Sequence, residues 1–273
     1  MIVEKNDNGI VLLEAEHFNA KDILTCGQVF RYKETPYGYS VISLDKKCDI
    51  VEDSDKIRLI TSDADYFYNY FDLATSYTDI IKKLTGLPFM DEAIPNGKGI
   101  RLLRQDRREM IIDFIISANN RIPRIQSIIE KICTSLGENK GDYYAFPSME
   151  ALAHAGEKFY ASIGAGYRAK YLDETANALL TFDINSVDNL DSNTANKLLC
   201  TLKGIGPKVA DCILLFGYSR MDVFPVDTWI KKVYADIFNI KESNNAKISR
   251  ELISTYGDLS GYAQQYLFYN KRG

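Results

Sequence analysis

The sequence predicts an α+β protein, with an antiparallel β-sheet at the N-terminus and a mostly helical, two-lobed remainder. Apolar residues alternate with a period of two within the first 62 residues, and from about residue 65 they follow the helical period of 3.6. A length of 273 residues is enough for about two domains. We therefore expect residues 1–78 to form a sheet domain with a flanking helix, and residues 79–273 to form a helical domain.

The N-terminal region has the composition of strands separated by turns. Segments rich in Val, Ile, Tyr and Phe lie at Gln28–Lys33, Tyr37–Leu44 and Lys56–Thr61. Turn-forming sequences separate them, at Thr35–Gly38 and Glu52–Asp55. This order predicts an antiparallel meander.

The rest of the chain has helical periodicity, and the almost wholly apolar run Ile111–Ile116 predicts a central buried helix. Two turn-rich segments, Pro95–Gly99 and Gly137–Pro147, interrupt the pattern. The predicted helices cover approximately residues 65–71, 77–85, 107–118, 123–137, 148–154, 167–181, 193–202, 207–217, 227–238, 244–256 and 259–269.

The composition argues against a secreted disulfide protein and against a metalloprotein. The five cysteines are widely spaced and odd in number, as expected for reduced thiols in the cytoplasm. Only two histidines, His17 and His154, are present. We assign no role to either of them and expect no structural metal. No apolar run approaches the ~18–20 residues that span a bilayer, and the N-terminus lacks a signal-peptide pattern. We expect a cytoplasmic protein.

The net charge of −4 is unevenly distributed. Residues 1–80 carry 8 Lys/Arg and 15 Asp/Glu, whereas residues 81–273 carry 25 and 22. Since the acidic and basic parts can face different partners, the overall charge does not exclude a nucleic-acid ligand.

The segment Leu202–Ala210 is the most informative motif. It reads Leu-Lys-Gly-Ile-Gly-Pro-Lys-Val-Ala and predicts a helix end, a tight turn through Gly204 and Gly206, and a second helix with Pro207 in its first turn. The first N–H groups of a helix lack intrahelical partners and form an anion site that suits one phosphate. The structural alternative is a glycine-capped turn between two helices that binds nothing.

Lys208 and Asp227 indicate the reaction that a hairpin of this kind supports. Lys208 lies near the positive end of a helix dipole, which disfavours its ammonium form and favours the nucleophilic amine. Asp227 follows Val223–Val226 and either caps the next helix or acts as a catalytic carboxylate. Cleavage of an N-glycosidic bond builds positive charge on the sugar, which a carboxylate stabilises, and an amine can capture C1′ as a Schiff base.

The hairpin and the loop Pro225–Asp227 resemble the helix-hairpin-helix superfamily of DNA glycosylases. Further segments, in the same order along the chain, narrow the resemblance to the 8-oxoguanine DNA glycosylases of bacterial type. They are Cys26–Arg31, Leu102–Asp106, Ser117–Arg124, Gly166–Tyr171, Lys208–Cys212 and Gly261–Gln264. The resemblance implies a bifunctional enzyme that flips 8-oxoguanine out of duplex DNA, cleaves its glycosidic bond through a lysine Schiff base and nicks the strand by β-elimination. The expected partner is duplex DNA with 8-oxoguanine opposite cytosine, bound by a monomer.

The resemblance also implies a role for each matching residue. Lys208 is the nucleophile, and Asp227 is the carboxylate that assists base loss. The flipped base contacts Gly27, Cys212, Gln264 and Phe268, with the Gly27 carbonyl accepting from the N7–H that guanine lacks. Asn119, Arg124 and Arg168 hold the orphaned cytosine, and Tyr167 is the wedge that fills the gap in the base stack. Phosphates contact Gly204, Gly206, Val209 and Trp229.

The chain departs from the eukaryotic relatives at several of these positions. Trp229 stands where they carry a phosphate-contacting histidine, so the salt and pH dependence of binding is expected to differ. Arg121 and Pro123 lie in a loop that is richer in Asn and free of proline in those relatives, which alters the segment that checks the opposite base. No cofactor is expected, and the superfamily implies a monovalent cation at the hairpin carbonyls.

Two other functions remain open at this point. One is a helix-hairpin-helix glycosylase for another damaged base, such as an alkylated one; those members commonly lack a lysine at position 208. The iron–sulfur branch is excluded because no cysteine follows Cys212. The other is a non-catalytic DNA-binding module, which would have no reason to keep Lys208 together with Asp227.

An arginine-rich segment allows two interpretations. Arg101, Arg104, Arg107 and Arg108 form either a DNA-binding stripe or a solvated helix face paired with Asp106 and Glu109. We favour the solvated face.

Overall fold

The computed structural model describes residues 1–272, and its first 60 residues contain six strands. The strands are β1 (Ile2–Asn6), β2 (Gly9–Leu13), β3 (Tyr32–Thr35), β4 (Gly38–Ser43), β5 (Lys46–Glu52) and β6 (Lys56–Ile60). They form one sheet in the order β1-β2-β6-β5-β4-β3. The pairs β1–β2, β2–β6 and β3–β4 are antiparallel. The predicted antiparallel sheet followed by a helical region is confirmed.

Thirteen α-helices make up most of the remaining described chain. They are α1 (Ala20–Thr25), α2 (Ala64–Tyr70), α3 (Tyr77–Leu84), α4 (Met90–Asn96), α5 (Arg107–Ser117), α6 (Ile122–Leu136), α7 (Met149–Ser162), α8 (Arg168–Leu179), α9 (Ser192–Leu199), α10 (Pro207–Gly217), α11 (Thr228–Phe238), α12 (Asn245–Tyr256) and α13 (Ser260–Arg272). Two short 3₁₀ helices lie at Ile184–Asn189 and Gly257–Leu259. No helix of the described residues combines the length and apolar character needed to cross a bilayer.

The strand predicted at Gln28–Lys33 is wrong. Gly27 has a positive φ of 86° and is followed by an irregular segment, so that β3 begins only at Tyr32. The side chain of Gln28 replaces the missing strand hydrogen bonds, since its Nε2 donates to the carbonyl oxygens of Ile23 (2.9 Å) and Arg101 (2.8 Å). The bond to Arg101, 73 residues away, leaves no periodic signal in the sequence.

Three helical segments also differ from the prediction. Helices α1 and α4 were not predicted. Pro95, which was expected to begin a turn, lies inside α4, one residue before its end. Helix α7 runs on to Ser162 because the predicted stop becomes a kink at Gly156, whose φ is 74°.

The chain divides into two compact units that alternate along the sequence. Unit 1 contains Met1–Val29, Ile50–Arg104 and the residues from Ser219 on, and unit 2 contains Phe30–Asp49 and Gln105–Tyr218. The domain boundary proposed after residue 78 stays a prediction.

The core of unit 2 forms around α5, as the apolar run predicts. Residues 109–116 of this helix are all buried. Phe114 stacks on Phe216 of α10 with ring centres 5.6 Å apart and planes 9° apart. Glu109 forms a buried ion pair with Arg31 at 3.0 Å. Such stacking adds to the free energy of burying the rings and holds α10 firmly against α5.

The four arginines of this segment do not share one solvated face as we favoured, because Arg101 is buried whereas Arg104 and Arg108 are exposed. Arg101 is 1% exposed, donates to the carbonyl oxygens of Phe71 (2.9 Å) and Thr75 (3.0 Å), and lies over the Tyr77 ring. The partners of the others are spread over the fold: Arg104 pairs with Asp72, Arg107 with Asp188, Asp106 caps α5, and Glu109 pairs with Arg31. Arg101, Arg104 and Arg107 bind acceptors that are distant in the sequence, which the local pattern of charges could not show.

Candidate functional site

The predicted hairpin joins α9 to α10 within unit 2. Gly204 has a φ of 81°, which favours glycine, and Gly206 is the exposed N-cap of α10. Pro207 opens α10, where a missing N–H group costs nothing, and Val209 is buried and anchors the first turn. A Cβ at Gly206 would meet no atom within 4 Å, so the approach to this helix N-terminus is open.

Lys208 and Cys212 lie one turn apart on α10. Lys208 is half-buried with its Nζ 6.0 Å from the centre of the Phe114 ring, and Cys212 is buried. Sequence reasoning missed Asp211, which accepts a hydrogen bond from Asn196 Nδ2 at 2.6 Å. Burial raises the pKa of Asp211 to about 6, while the bond from Asn196 and the charge of Lys208 oppose that rise. Its spacing of three residues from Lys208 is the signal that could have pointed to it.

A strained turn follows α5 at the predicted opposite-base segment. Asn119 has a φ of 51°, a left-handed conformation that is uncommon for non-glycine residues and that asparagine adopts more readily than most of them. Asn120 stabilises the turn, since its Nδ2 donates to the Ile116 carbonyl at 3.1 Å. Strain of this kind is frequent at functional sites.

Arg168 holds this turn from α8. The side chain is 3% exposed, and its Nε donates to the Ala118 carbonyl at 2.9 Å and its Nη2 to the Asn119 carbonyl at 2.9 Å. It also donates to the Ala165 carbonyl and, through Nη2, a second time to Ala118. Tyr167 is 57% exposed beside it, with its hydroxyl 3.2 Å from the same Ala118 carbonyl. The structure thus brings Asn119, Tyr167 and Arg168 together.

The two residues that differ from the eukaryotic loop belong to the start of α6. Arg121 is the N-cap and Pro123 lies in the first turn, where proline fits because the N–H is not needed. Pro123 therefore begins a helix and does not interrupt a loop. Arg124 follows on the surface, with its Nη2 donating to the Gly164 carbonyl at 3.0 Å.

Unit 1 brings Gly27 against Phe268 of α13. A Cβ at Gly27 would lie 3.3 Å from Cε1 of Phe268 and 3.1 Å from Nη1 of Arg272. The segment is fixed to α13 by Gln265, whose Nε2 donates to the Cys26 carbonyl at 2.9 Å. Both the positive φ and the lack of space therefore favour glycine at this position.

Gln264 carries a buried polar atom that has no hydrogen-bond partner within residues 1–272. The residue is 6% exposed, and its Oε1 is buried without a donor among the described residues. Leaving such a group unsatisfied costs about 1–3 kcal/mol, so buried groups of this kind point to a donor supplied by water or a ligand. The adjacent Gln265, by contrast, is engaged by the Cys26 carbonyl.

Asp227 is the N-cap of α11, as the structural reading of the sequence suggested. Its Oδ1 accepts from the backbone N–H groups of Trp229 and Ile230, at 2.9 Å each. The residue is half-buried, so the carboxylate is fixed in orientation without being sealed off. Trp229 is also half-buried and has Lys232 Nζ 4.1 Å from its ring centre, a cation that sequence reasoning missed.

The remaining sequence candidates have local partners. His17 contacts Thr78 Oγ1 at 3.1 Å, and His154 contacts the Glu150 carbonyl through Nδ1 at 2.6 Å. Among residues 1–272, no three His, Cys, Asp or Glu side chains lie together as metal ligands would. The sequence-predicted residues divide between the units: unit 1 carries Gly27, Asp227, Trp229, Gln264 and Phe268, and unit 2 carries the others.

Two family models match consecutive parts of this chain. Residues 10–111 match the 8-oxoguanine DNA glycosylase N-terminal domain, and residues 112–256 match the HhH-GPD superfamily of base excision DNA repair proteins. The second match covers more than half of the chain and includes the hairpin.

Individual proteins are similar over most of the chain. The N-glycosylase/DNA lyase OGG1 of Arabidopsis thaliana is 32% identical over 89% of this chain and 74% of its own length. A probable N-glycosylase/DNA lyase of Methanothermobacter thermautotrophicus is 32% identical over 74% of this chain and 71% of its own. The 8-oxoguanine glycosylase/lyase of Clostridium acetobutylicum, in complex with double-stranded DNA that has cytosine opposite 8-oxoguanine, is 36% identical. It covers 100% of this chain and 98% of its own, with a TM-score of 0.93.

Proposed function

This chain belongs to the HhH-GPD superfamily of base excision DNA repair proteins, and we propose that it removes 8-oxoguanine from duplex DNA and then nicks the strand. One observation carries the proposal. Lys208, the nucleophile that a glycosylase with lyase activity needs, is half-buried in the first turn of the helix that the hairpin opens. A phosphate held at that helix N-terminus brings the sugar of the same strand towards the amine.

The hairpin and Trp229 bind the DNA backbone in this proposal. The open N-terminus of α10 supplies N–H groups and a dipole that favour a phosphate. Trp229 offers an indole N–H, and Lys232, beside its ring, supplies the positive charge that tryptophan lacks. Because phosphate contacts release counterions, binding weakens as salt is added.

Recognition of the lesion depends on two acceptors in unit 1. The Gly27 carbonyl accepts from the N7–H that distinguishes 8-oxoguanine, and the buried Gln264 Oε1 accepts from the Watson–Crick edge. Guanine would leave the Gly27 carbonyl facing a lone pair, at a cost of about 1–3 kcal/mol or roughly 5- to 150-fold in affinity. Phe268 of the same unit contacts one face of the flipped base.

The chemistry needs no cofactor. The N-glycosidic bond breaks with its electron pair going to the base, and the Asp227 carboxylate stabilises the positive charge left on the sugar. The neutral Nζ of Lys208 bonds to C1′, and ring opening gives a Schiff base. Water then takes a proton from C2′, the C2′–H electron pair forms a C2′=C3′ double bond, and the C3′–O3′ bond breaks, so that the 3′ phosphate leaves and the strand is cut. Water finally hydrolyses the Schiff base and restores the amine.

The opposite base is held by residues of unit 2. Arg124 is exposed at the start of α6, and Asn119 and Tyr167 flank the strained turn. Arg168 uses four of its five N–H groups on backbone carbonyls, so one N–H of Nη1 is left to donate to cytosine without any of these bonds being broken. We propose cytosine as the preferred partner and the cytoplasm, on chromosomal DNA, as the location.

Borohydride trapping tests this function directly. Duplexes with one 8-oxoguanine opposite each of the four bases are incubated with wild type, Lys208→Gln, and Lys203→Gln as a control at an exposed hairpin lysine. We expect a covalent protein–DNA product with wild type and Lys203→Gln, strongest opposite cytosine, and none with Lys208→Gln although it still binds DNA. Abasic sites without a covalent product would mean a monofunctional glycosylase, and neither product would favour another damaged base or a binding module.

A further inference from the structure

We propose that Tyr171 is a positioning residue that sets the spacing between the hairpin and the wedge residue Tyr167. The inference rests on the proposed function and deepens it, because it concerns how phosphate binding and base extrusion are kept in register. Nothing in the sequence singles out Tyr171 for this role beyond its place four residues after Tyr167. The contacts of α8 within unit 2 carry the argument.

Helix α8 contacts both functional segments of unit 2 along one face. Tyr167, Tyr171 and Thr175 are spaced four residues apart and therefore lie in one row, about 6 Å from one to the next. At the far end of this row, buried Thr175 donates from Oγ1 to the carbonyl of Lys203 at 2.7 Å. At the near end, the Tyr167 hydroxyl donates to the Ala118 carbonyl in the turn after α5. The helix thus connects the two segments rigidly.

Tyr171 lies directly against Gly204 of the hairpin. A Cβ at Gly204 would lie 2.7 Å from Cβ and 2.9 Å from Cγ of Tyr171, so only glycine can stand against this side chain. Gly204 also has the positive φ of 81° that the turn requires. The position of the Tyr171 side chain therefore limits how near the hairpin can come to α8.

The same ring touches the wedge. The rings of Tyr167 and Tyr171 pack edge to face, with centres 6.1 Å apart and planes 81° apart. Tyr171 is 37% exposed, so it does not fill a core, and its hydroxyl makes no hydrogen bond within residues 1–272. What the side chain provides is a flat ring between Gly204 and Tyr167, which phenylalanine would also provide.

A fixed spacing matters because the wedge and the phosphate grip must engage one DNA strand together. When the ring is removed, each segment keeps its own contacts, but Tyr167 loses the surface that orients it. Small misplacements of groups that act together lower a rate strongly, while non-specific binding through phosphates is preserved. Tyr171 should therefore affect base extrusion more than affinity for undamaged DNA.

The experiment compares Tyr171→Phe, Tyr171→Ala and Tyr171→Leu with wild type in single-turnover release of 8-oxoguanine at saturating enzyme. A fluorescent base analogue beside the lesion reports extrusion, and the affinity for undamaged duplex and the Tm are measured in parallel. Tyr37→Ala, at a 76% exposed tyrosine of the same unit, is the control. We expect release to slow about tenfold in Tyr171→Ala and Tyr171→Leu, in the range that one aromatic contact provides, and to stay within about twofold in Tyr171→Phe. Affinity for undamaged duplex should change less than about twofold.

Coupling to the wedge gives a second criterion. If Tyr171 acts through Tyr167, the Tyr171→Ala change should slow a Tyr167→Ala enzyme far less than it slows wild type. Equal loss in Tyr171→Phe and Tyr171→Ala would overturn the proposal in favour of a hydroxyl contact to DNA. An unchanged rate in Tyr171→Ala, or additive effects of the two substitutions, would overturn it as well. Should Tyr171→Ala not fold, Tyr171→Leu against Tyr171→Phe decides. A wild-type enzyme that releases no base would refute the proposed function together with this inference.

Discussion

Gly27→Ala should damage recognition of the lesion far more than it damages the fold. The added Cβ would lie 3.3 Å from Phe268 and 3.1 Å from Arg272, and the backbone would be held at a φ of 86°. Arg272 can move away because its guanidinium is the end of a flexible side chain. The Phe268 ring or the Gly27 backbone must then give by a few tenths of an ångström, which shifts the carbonyl proposed to accept from N7–H.

The structure separates the two contributions of this substitution. The left-handed φ alone costs alanine about 1–2 kcal/mol, or roughly 2–8 °C in Tm for a protein of this size. Gly86 offers a matched control, because its φ is 84° and a Cβ there would meet no atom within 4 Å. Both variants should therefore lose similar stability, while only Gly27→Ala should lose activity, by about 10- to 100-fold.

The assay is single-turnover release of 8-oxoguanine from a duplex with cytosine opposite, at a temperature well below the Tm of each variant. Thermal unfolding of Gly27→Ala and Gly86→Ala is recorded beside it. Equal activity in the two variants would refute the argument that the contact between Gly27 and Phe268 shapes the base site. A much larger loss of stability in Gly27→Ala would show that its effect is on folding.

Three further outcomes are expected. Asp227→Asn keeps the Oδ1 acceptor that caps α11, so its Tm should stay that of wild type. Its rate of base release should fall by more than about 100-fold, because the negative charge is lost. Asp227→Ala also loses the cap and should be about 1 kcal/mol less stable in urea unfolding. Burial raises the pKa of Asp211 from 3.8 to about 6, so ionisation disfavours the folded state: the cost is absent below about pH 4 and complete above about pH 6. Asp211→Asn should therefore gain stability relative to wild type as pH rises through this window, and a difference in unfolding free energy that does not vary with pH would contradict the assignment. Lys232→Gln should reduce the slope of log Kd against log salt by about one if Lys232 accompanies Trp229 at a phosphate, and an unchanged slope would remove it from the DNA contacts.

Local patterns determined much of the fold, and the resemblance to the DNA glycosylases supplied most of the candidate residues. The change from a period of two to a period of 3.6, the turn residues between strands, and the apolar run Ile111–Ile116 are properties of neighbouring residues. The Gly-Ile-Gly-Pro hairpin specifies its own backbone, because glycine permits the turn and proline starts the helix. The same holds for Asp227, whose capping of α11 depends only on residues that follow it directly.

Other features depended on partners far away in the sequence. The segment after Gly27 is not a strand, and the Gln28 amide donates instead to the carbonyl of Arg101, 73 residues away. Arg101 does not belong to a solvated face because its side chain donates to the carbonyl of Phe71. The contact of Gly27 with Phe268 and the unpaired Gln264 oxygen likewise arise only when α13 packs against the N-terminal segment.

Local sequence therefore specifies the turn of the hairpin, the place of Lys208 at the start of α10 and the capping of α11 by Asp227. The packing of distant segments sets which side chains are already in contact: Arg168 is bound to the turn after α5, and Tyr171 lies between Gly204 and Tyr167. The difference lies in how far apart along the sequence the interacting residues are. Turns and caps are set by hydrogen bonds between residues a few positions apart, whereas the burial and orientation of a side chain are set by whichever segments the folded chain places against it.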